Sequence, residues 1–225
     1  MASLADPWFG PLSAWSWVLG VNLWGVIHGV RAFLPILLAQ GEGHIVNTAS
    51  SAGLNPGSGP IYAAGKHAVV ALSEELFKMT QLAALPVGVS VLCPSWVRTG
   101  IADAERNWPA TQGDRPPRAA AYETLLPHLQ RAIQDGMSPA GIAELVAEAI
   151  ESERFWILPH PDSVERAAQR WQRIADGHNP DPTINVPGLP PTEQIAAEIK
   201  AAMAQSRVLS RMPARPGTSR DSAPR

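Results

Sequence analysis

The hydrophobic and polar positions fall into alternating helical and strand-like patterns. From Ser13 towards Gln40, Trp17, Val21 and Trp24 recur at helical spacing. This predicts a helix with Ser13 as N-cap and Pro35 limiting its last turns. The run 44–50, His-Ile-Val-Asn-Thr-Ala-Ser, is short, β-rich and polar at its end, as a buried strand is where it opens into a site. Residues 61–79 read as a second helix and 87–94 as a second buried strand, and two strands separated by a helix predict a right-handed parallel βαβ unit. Residues 100–136, with Trp108, Pro109, Gly113, Pro116 and Pro117 among charges, read as an irregular excursion with some helix, of the kind that covers sites. Ser138-Pro139 starts a helix running to about Ser152, and 155–158 is a third apolar strand. The fold class is therefore α/β, with alternation continuing to about His160.

Beyond Asp176 the composition shifts. Residues 179–191 are proline-rich, 192–204 can form a short helix, and 205–225 carry five arginines among Ser, Pro and Gly. The chain accordingly divides into a body, 1–178, and a segment, 179–225, of linker, short helix and disordered tail. With 225 residues, 45% of them hydrophobic, the body needs no staples. A net charge of -2 gives no general attraction to nucleic acid or anionic membranes, so neither is expected as a partner. One cysteine, Cys93, allows no internal disulfide, and no cysteine–histidine spacing suits a metal. It reads as a buried, inert thiol. The aromatic start lacks the basic leader of a signal peptide. Asn22, His28 and Arg31 break the longest apolar run below the roughly 18 residues of a membrane span. The expectation is a soluble, cytoplasmic protein.

The chemistry centres on Tyr62 and Lys66, four apart and so on one helical face. A phenol with an ordinary pKa of about 10 is a poor base at neutral pH, but an adjacent ammonium favours its phenolate. Alone this pattern is weak, because both residues are common on helix surfaces. It has company: Val21-Asn22-Leu23-Trp24-Gly25 in the first helix, Ile45 through Ser50 in the strand, Tyr62 through His67, and Cys93-Pro94-Ser95-Trp96-Val97-Arg98-Thr99 after the next strand. In this order the four motifs resemble the short-chain dehydrogenase/reductase family over most of residues 11–160.

The resemblance implies an oxidoreductase that moves hydride between NAD or NADP and a small alcohol or carbonyl compound. Tyr62 would be the general acid/base. Lys66 would lower its pKa and bind the nicotinamide ribose, Ser50 would hydrogen-bond the substrate oxygen, and Asn22 would hold a water in the proton relay. In the family the catalytic serine stands three residues before a glycine, which selects Ser50, three before Gly53, over Ser51. Without the resemblance Ser50 reads as a turn-capping hydroxyl and Asn22 as a polar residue bonding its own helix. Pro94, Val97 and Thr99 would contact the cofactor and Trp96 the substrate. Ser95 stands where the family usually has glycine, which puts the local backbone in question. The helices 13–40 and 61–79 commonly pair between subunits of the family, and Gly25 and Gly29 suit such close packing, so a homo-oligomer is expected.

A complete dinucleotide-binding fold opens with a strand, a glycine-rich turn and a helix N-terminus that receives the pyrophosphate. Gly41-x-Gly43 precedes a strand, and Gly57-x-Gly59 lies in the loop before Tyr62, so neither is that turn. The expectation is a partial Rossmann-type doubly wound sheet without its first strands, roughly 80–90 residues. Its first strand would then carry an open edge, and its grip on dinucleotide would be weak. The competing reading is a catalytically inactive remnant acting in oligomerisation or interaction. Retention of Asn22, Ser50, Tyr62 and Lys66 weighs against it.

Overall fold

Three short strands, β1 (His44–Thr48), β2 (Gly88–Leu92) and β3 (Trp156–Ile157), form one parallel sheet in the order β1-β2-β3. In this computed structural model, which describes residues 4–183 and 186–205, β1 pairs with β2 from His44 opposite Gly88 to Thr48 opposite Leu92. β3 adds on through Val91–Trp156 and Leu92–Ile157. The α/β class and the parallel sheet are those the periodicity predicts. Helix α3 (Pro60–Leu82) joins β1 to β2, and α5 (Pro139–Glu151) leads into β3. The strands are apolar because both faces are covered. Val69, Val70 and Val91 pack with Ala49 and Cys93 on the α3 side, and Leu92, Ile142, Ala149 and Ile157 on the α5 side.

The first helix departs from the expected continuous α-helix. It runs as α1 (Leu12–Leu19), a π-helical turn over Gly20–Trp24, and α2 (Gly25–Gln40). The Gly25 amide bonds the Gly20 carbonyl, five residues back. Ser13 is not the cap. Pro11 is, because Asp6 Oδ1 accepts the Trp8 and Phe9 amides at 2.8 Å each and so turns the chain into the helix two residues earlier. Nor does Pro35 stop α2, which ends at Gly41 in the left-handed region (φ 83°) with its amide on the Leu37 and Leu38 carbonyls. Pro35 lies in an exposed stretch beyond Arg31, so the carbonyl it frees can reach water.

By length and composition Leu12–Gln40 would suffice to cross a membrane, contrary to the count of consecutive apolar residues. Here its inner face, with Ala14, Trp17 and Val18, joins Ile61 in a core cluster, while Val21, Trp24, Phe33 and Ile36 are exposed. Gly25 and Gly29 have no neighbouring side chain against them. They border a groove between α2 and β1, whose outer edge is unpaired among the described residues.

The excursion over 100–136 folds as short 3-10 turns (Gly100–Asn107, Ala110–Gln112) and helix α4 (Ala120–Gln134). Buried Glu105 holds it together. Its carboxylate accepts from Arg118 at 2.8 Å, lies 3.6 Å from Arg115 and accepts the Leu4 amide at 3.0 Å. Glu105→Ala should lower stability by roughly 2 kcal/mol, at the low end for a broken buried pair because both arginines reach solvent. Thermal unfolding measures it, and an unchanged midpoint would remove Glu105 from this role.

Among the described residues, two helices follow β3. The sequence did not predict α6 (Pro161–Ala175), and α7 (Thr192–Gln205) lies where a short helix was expected. α7 packs on α4, Ile195 is wholly buried, and the Trp96 indole donates to the Pro187 carbonyl at 2.7 Å. The described part of 179–205 is thus folded against the body. The expected arginine-rich tail at 206–225 lies outside the described residues.

Candidate active site

The carboxyl ends of β1 and β2 deliver the candidate residues to one place, as parallel sheets do. Past β1, Ser50 caps a 3-10 turn over Ser51–Gly53. Its hydroxyl accepts the Ala52 amide at 3.1 Å and donates to the Pro94 carbonyl at 3.3 Å. The Ser51 amide reaches the same carbonyl at 2.8 Å, so the two strand ends are stitched together at Pro94. Ser50 therefore does act as a cap, as its plainer reading had it, while also standing beside Tyr62. α3 begins after Gly59, held at φ 85° with Tyr122 Oη 2.8 Å from where a Cβ would sit, and Pro60 opens its first turn. Tyr62 thus falls on the first turn and Lys66 one turn later.

Lys66 Nζ lies 5.7 Å from the Tyr62 ring centroid and donates to the Thr48 carbonyl at 2.8 Å. Burial holds its ammonium down at about 8. Burial also raises the Tyr62 phenol, and the hydrogen bond with Ser50 opposes this to a lesser degree. The spacing predicts that Lys66 lowers the phenol; instead desolvation raises it and the opposing influence comes from Ser50, because Tyr62 sits deeper than a helix surface position would. The Cys93 thiol, pushed up to about 12 mainly by burial, matches the inert reading.

Ser50, Tyr62 and Lys66 line a cavity of about 830 Å³ whose wall also includes Pro94, Trp96, Val97 and Thr99. Val97 bridges to Met137. Asn22 is not on that wall. It is buried in the π-helical turn, with its Cβ 3.8 Å from where a Cβ on Gly65 would stand, so it abuts α3 at Gly65. Ser95 does not adopt positive φ. Its amide donates to His160 Nδ1 at 3.1 Å while His160 Nε2 lies 3.2 Å from the Trp96 carbonyl, a pairing that suits a neutral imidazole protonated on Nε2. His160 and Tyr122 were missed as site residues. The signal for His160 was its place three residues past the end of β3, close to the two-residue offset that Ser50 and Pro94 hold past their strands.

These residues present a hydroxyl, a phenol and a buried cation at one end of a largely apolar cavity. They can polarise a substrate oxygen and exchange a proton with it. A family model for short chain dehydrogenases matches residues 10–110, a span that includes the whole apolar stretch Leu12–Gln40. The chain is 32% identical over 180 residues to a CLA biosynthesis dehydrogenase/reductase of Lactiplantibacillus plantarum, covering 77% of this chain and 63% of that protein. It is 33% identical over 183 residues to a C alpha-dehydrogenase of Sphingobium sp., covering 76% and 57%. Among solved structures, a short chain dehydrogenase/reductase from Burkholderia phymatum in complex with NAD is 43% identical, with a TM-score of 0.76 over 81% of this chain and 66% of that one. The chain thus spans under two thirds of the length of each of these relatives.

Proposed function

The chain belongs to the short-chain dehydrogenase/reductase family, and we propose that it serves in hydride transfer between a nicotinamide dinucleotide and an alcohol or carbonyl compound, with Tyr62 as the acid/base. The observation that carries this reading is the convergence of Ser50, Tyr62 and Lys66 on one end of the cavity, with the Ser50 hydroxyl on the phenol. The residues present suit the nicotinamide and ribose end of the cofactor, since a buried cation, the Thr99 hydroxyl and the backbone around Val97 share one wall. When bound, the nicotinamide supplies or accepts the hydride.

In the reducing direction Ser50 donates to the carbonyl oxygen and orients it. Tyr62, whose phenol burial keeps protonated, delivers the proton as the oxygen gains charge. Lys66 places a positive charge one helical turn away, which stabilises the phenolate left behind. Asn22, packed against α3 at Gly65, would return a proton through water. In the oxidising direction the same groups run in reverse. The exposed apolar residues Trp24, in the π-helical turn, and Phe33 and Ile36, in α2, support a homo-oligomer.

The test is calorimetric titration of this chain with NAD and NADP, followed by ketone-dependent oxidation of NADH or NADPH. Weak dinucleotide binding with low but measurable turnover is expected; binding of neither cofactor and no turnover would overturn the proposal. Lys66→Ala should weaken dinucleotide binding and turnover together, each by roughly ten-fold or more, and loss of one alone would argue against its double role. The pH dependence carries a sign. Lys66 is charged below about 8 and neutral above it, so kcat/KM for ketone reduction should be flat below that pH and fall as pH rises through it. A rise through the same range would exclude a working ammonium.

A further inference from the structure

Helix α6 carries Arg166, Arg170 and Arg173, four and three residues apart and therefore on one helical face. All three line the same cavity as Tyr62, on a wall it shares with His178. The helix is fastened to the turn that holds Ser50. Asn55 donates to the Ser163 carbonyl at 2.9 Å, and Arg170 Nη1 reaches the Leu54 carbonyl at 3.3 Å. The rest of the cavity is mainly apolar, with Ile61, Leu125, Leu129, Ile142 and Leu189 among its walls.

The three guanidiniums differ in how their charge is met. Arg166 is paired with Asp162 at 2.6 Å and bonds Ser163 Oγ at 3.1 Å, so its charge is answered within the helix. Arg170 stacks on Trp171 at 5.4 Å, and Arg173 donates to the Asn179 carbonyl at 2.8 Å. Neither is within ion-pair distance of a carboxylate among the described residues. Asp181, on the cavity wall, is exposed and is held mainly by Thr183. Arg173 Nε is buried without a hydrogen-bond partner. Guanidiniums without a carboxylate partner on the wall of an apolar cavity leave a charge that an anionic ligand would meet. A carboxylate matches the guanidinium fork with two parallel hydrogen bonds, which a neutral head group cannot do.

We propose that Arg170 and Arg173 form an anion subsite that selects substrates with a carboxylate at the far end of an apolar body from the reacting alcohol or ketone. This names the substrate class for the site proposed above and rests on that reading for where the reacting carbon lies. Binding of the carboxylate itself needs no chemistry at Tyr62, so the two are separable.

The experiment measures dissociation constants for oxo-carboxylates of graded chain length and for their methyl esters on this chain, by calorimetry. The variants are Arg170→Ala/Arg173→Ala and Arg173→Lys, and ketone-dependent oxidation of NADH and NADPH is assayed in parallel. At the best-fitting length the acid should bind about ten-fold or more tightly than its ester. That preference should shrink with added salt, collapse towards unity in the double alanine variant and survive in part in Arg173→Lys. Equal affinity of acid and ester, an acid preference unmoved by the double variant, or no binding of either would overturn the subsite. Should the double variant fail to fold, the acid-to-ester ratio and salt dependence of the unaltered chain decide the matter. Arginine-dependent acid binding without turnover would keep the subsite and sink the redox reading. Turnover of ketones with no acid preference would do the reverse.

Discussion

Tyr62→Phe is expected to remove roughly three orders of magnitude from kcat/KM for ketone reduction, the range general acid–base groups supply, while leaving the unfolding midpoint nearly unchanged. In the proposed mechanism the lost atom is the one that passes a proton to a substrate oxygen held by Ser50. Phenylalanine keeps the ring against Lys66. The Ser50 hydroxyl would retain the Ala52 amide and the Pro94 carbonyl, so no buried group is orphaned by the change. Steady-state turnover alongside circular-dichroism melting separates the two effects. Turnover within a few-fold of the unaltered chain would dismiss Tyr62 as the acid, whereas loss of fold would show that the phenol also carries structure.

Gly53→Val is expected to be among the most damaging single changes outside the reacting groups. A Cβ at Gly53 would stand 2.7 Å from the Lys66 carbonyl oxygen, 3.0 Å from its carbon and 2.8 Å from Val70 Cγ2. Two of those atoms are backbone in the middle of α3 and cannot turn aside. The turn over Ser51–Gly53 would have to lift off α3, carrying Ser50 away from Tyr62 and opening the packing around Val70. Overpacking of this kind costs about 3 kcal/mol. The urea midpoint should fall at constant slope, and activity should drop further than the unfolded fraction accounts for. A variant with the original midpoint would mean that the turn has slack the contact distances do not suggest.

Gly53 also illustrates what a sequence can and cannot disclose. By resemblance to the family it served only to choose between two serines; the packing supplies the physical reason a glycine stands there. The strands were legible because buried parallel strands are short, β-branched and bounded by polar residues, and the pairing of Tyr62 with Lys66 because helical spacing is local. The direction in which burial moves the phenol was not legible, since desolvation depends on what the rest of the chain lays over it. Helix α6 escaped notice because its charged positions dominate, and Val164, Trp171 and Ile174 are exposed rather than buried. A row of arginines on such a helix reads as a solvated face; only tertiary structure turns that face towards the cavity. His160 was hidden for a similar reason, its partners at Ser95 and Trp96 being 65 and 64 residues away.

The π-helical turn over Gly20–Trp24 sets the rotational phase of everything after it. Each residue advances a helix by about 100°, and a turn closed five residues back holds one residue more than a regular turn does. That additional residue lets Trp17 and Val18 face one core cluster while Leu23 and Val26 face the other. In a regular helix the two sets would fall out of step. The Leu12–Gln40 rod is therefore two helices in different phase, joined at the residue count that puts Asn22 against α3, and shortening it by a single residue would turn the apolar seam of α2 away from the sheet.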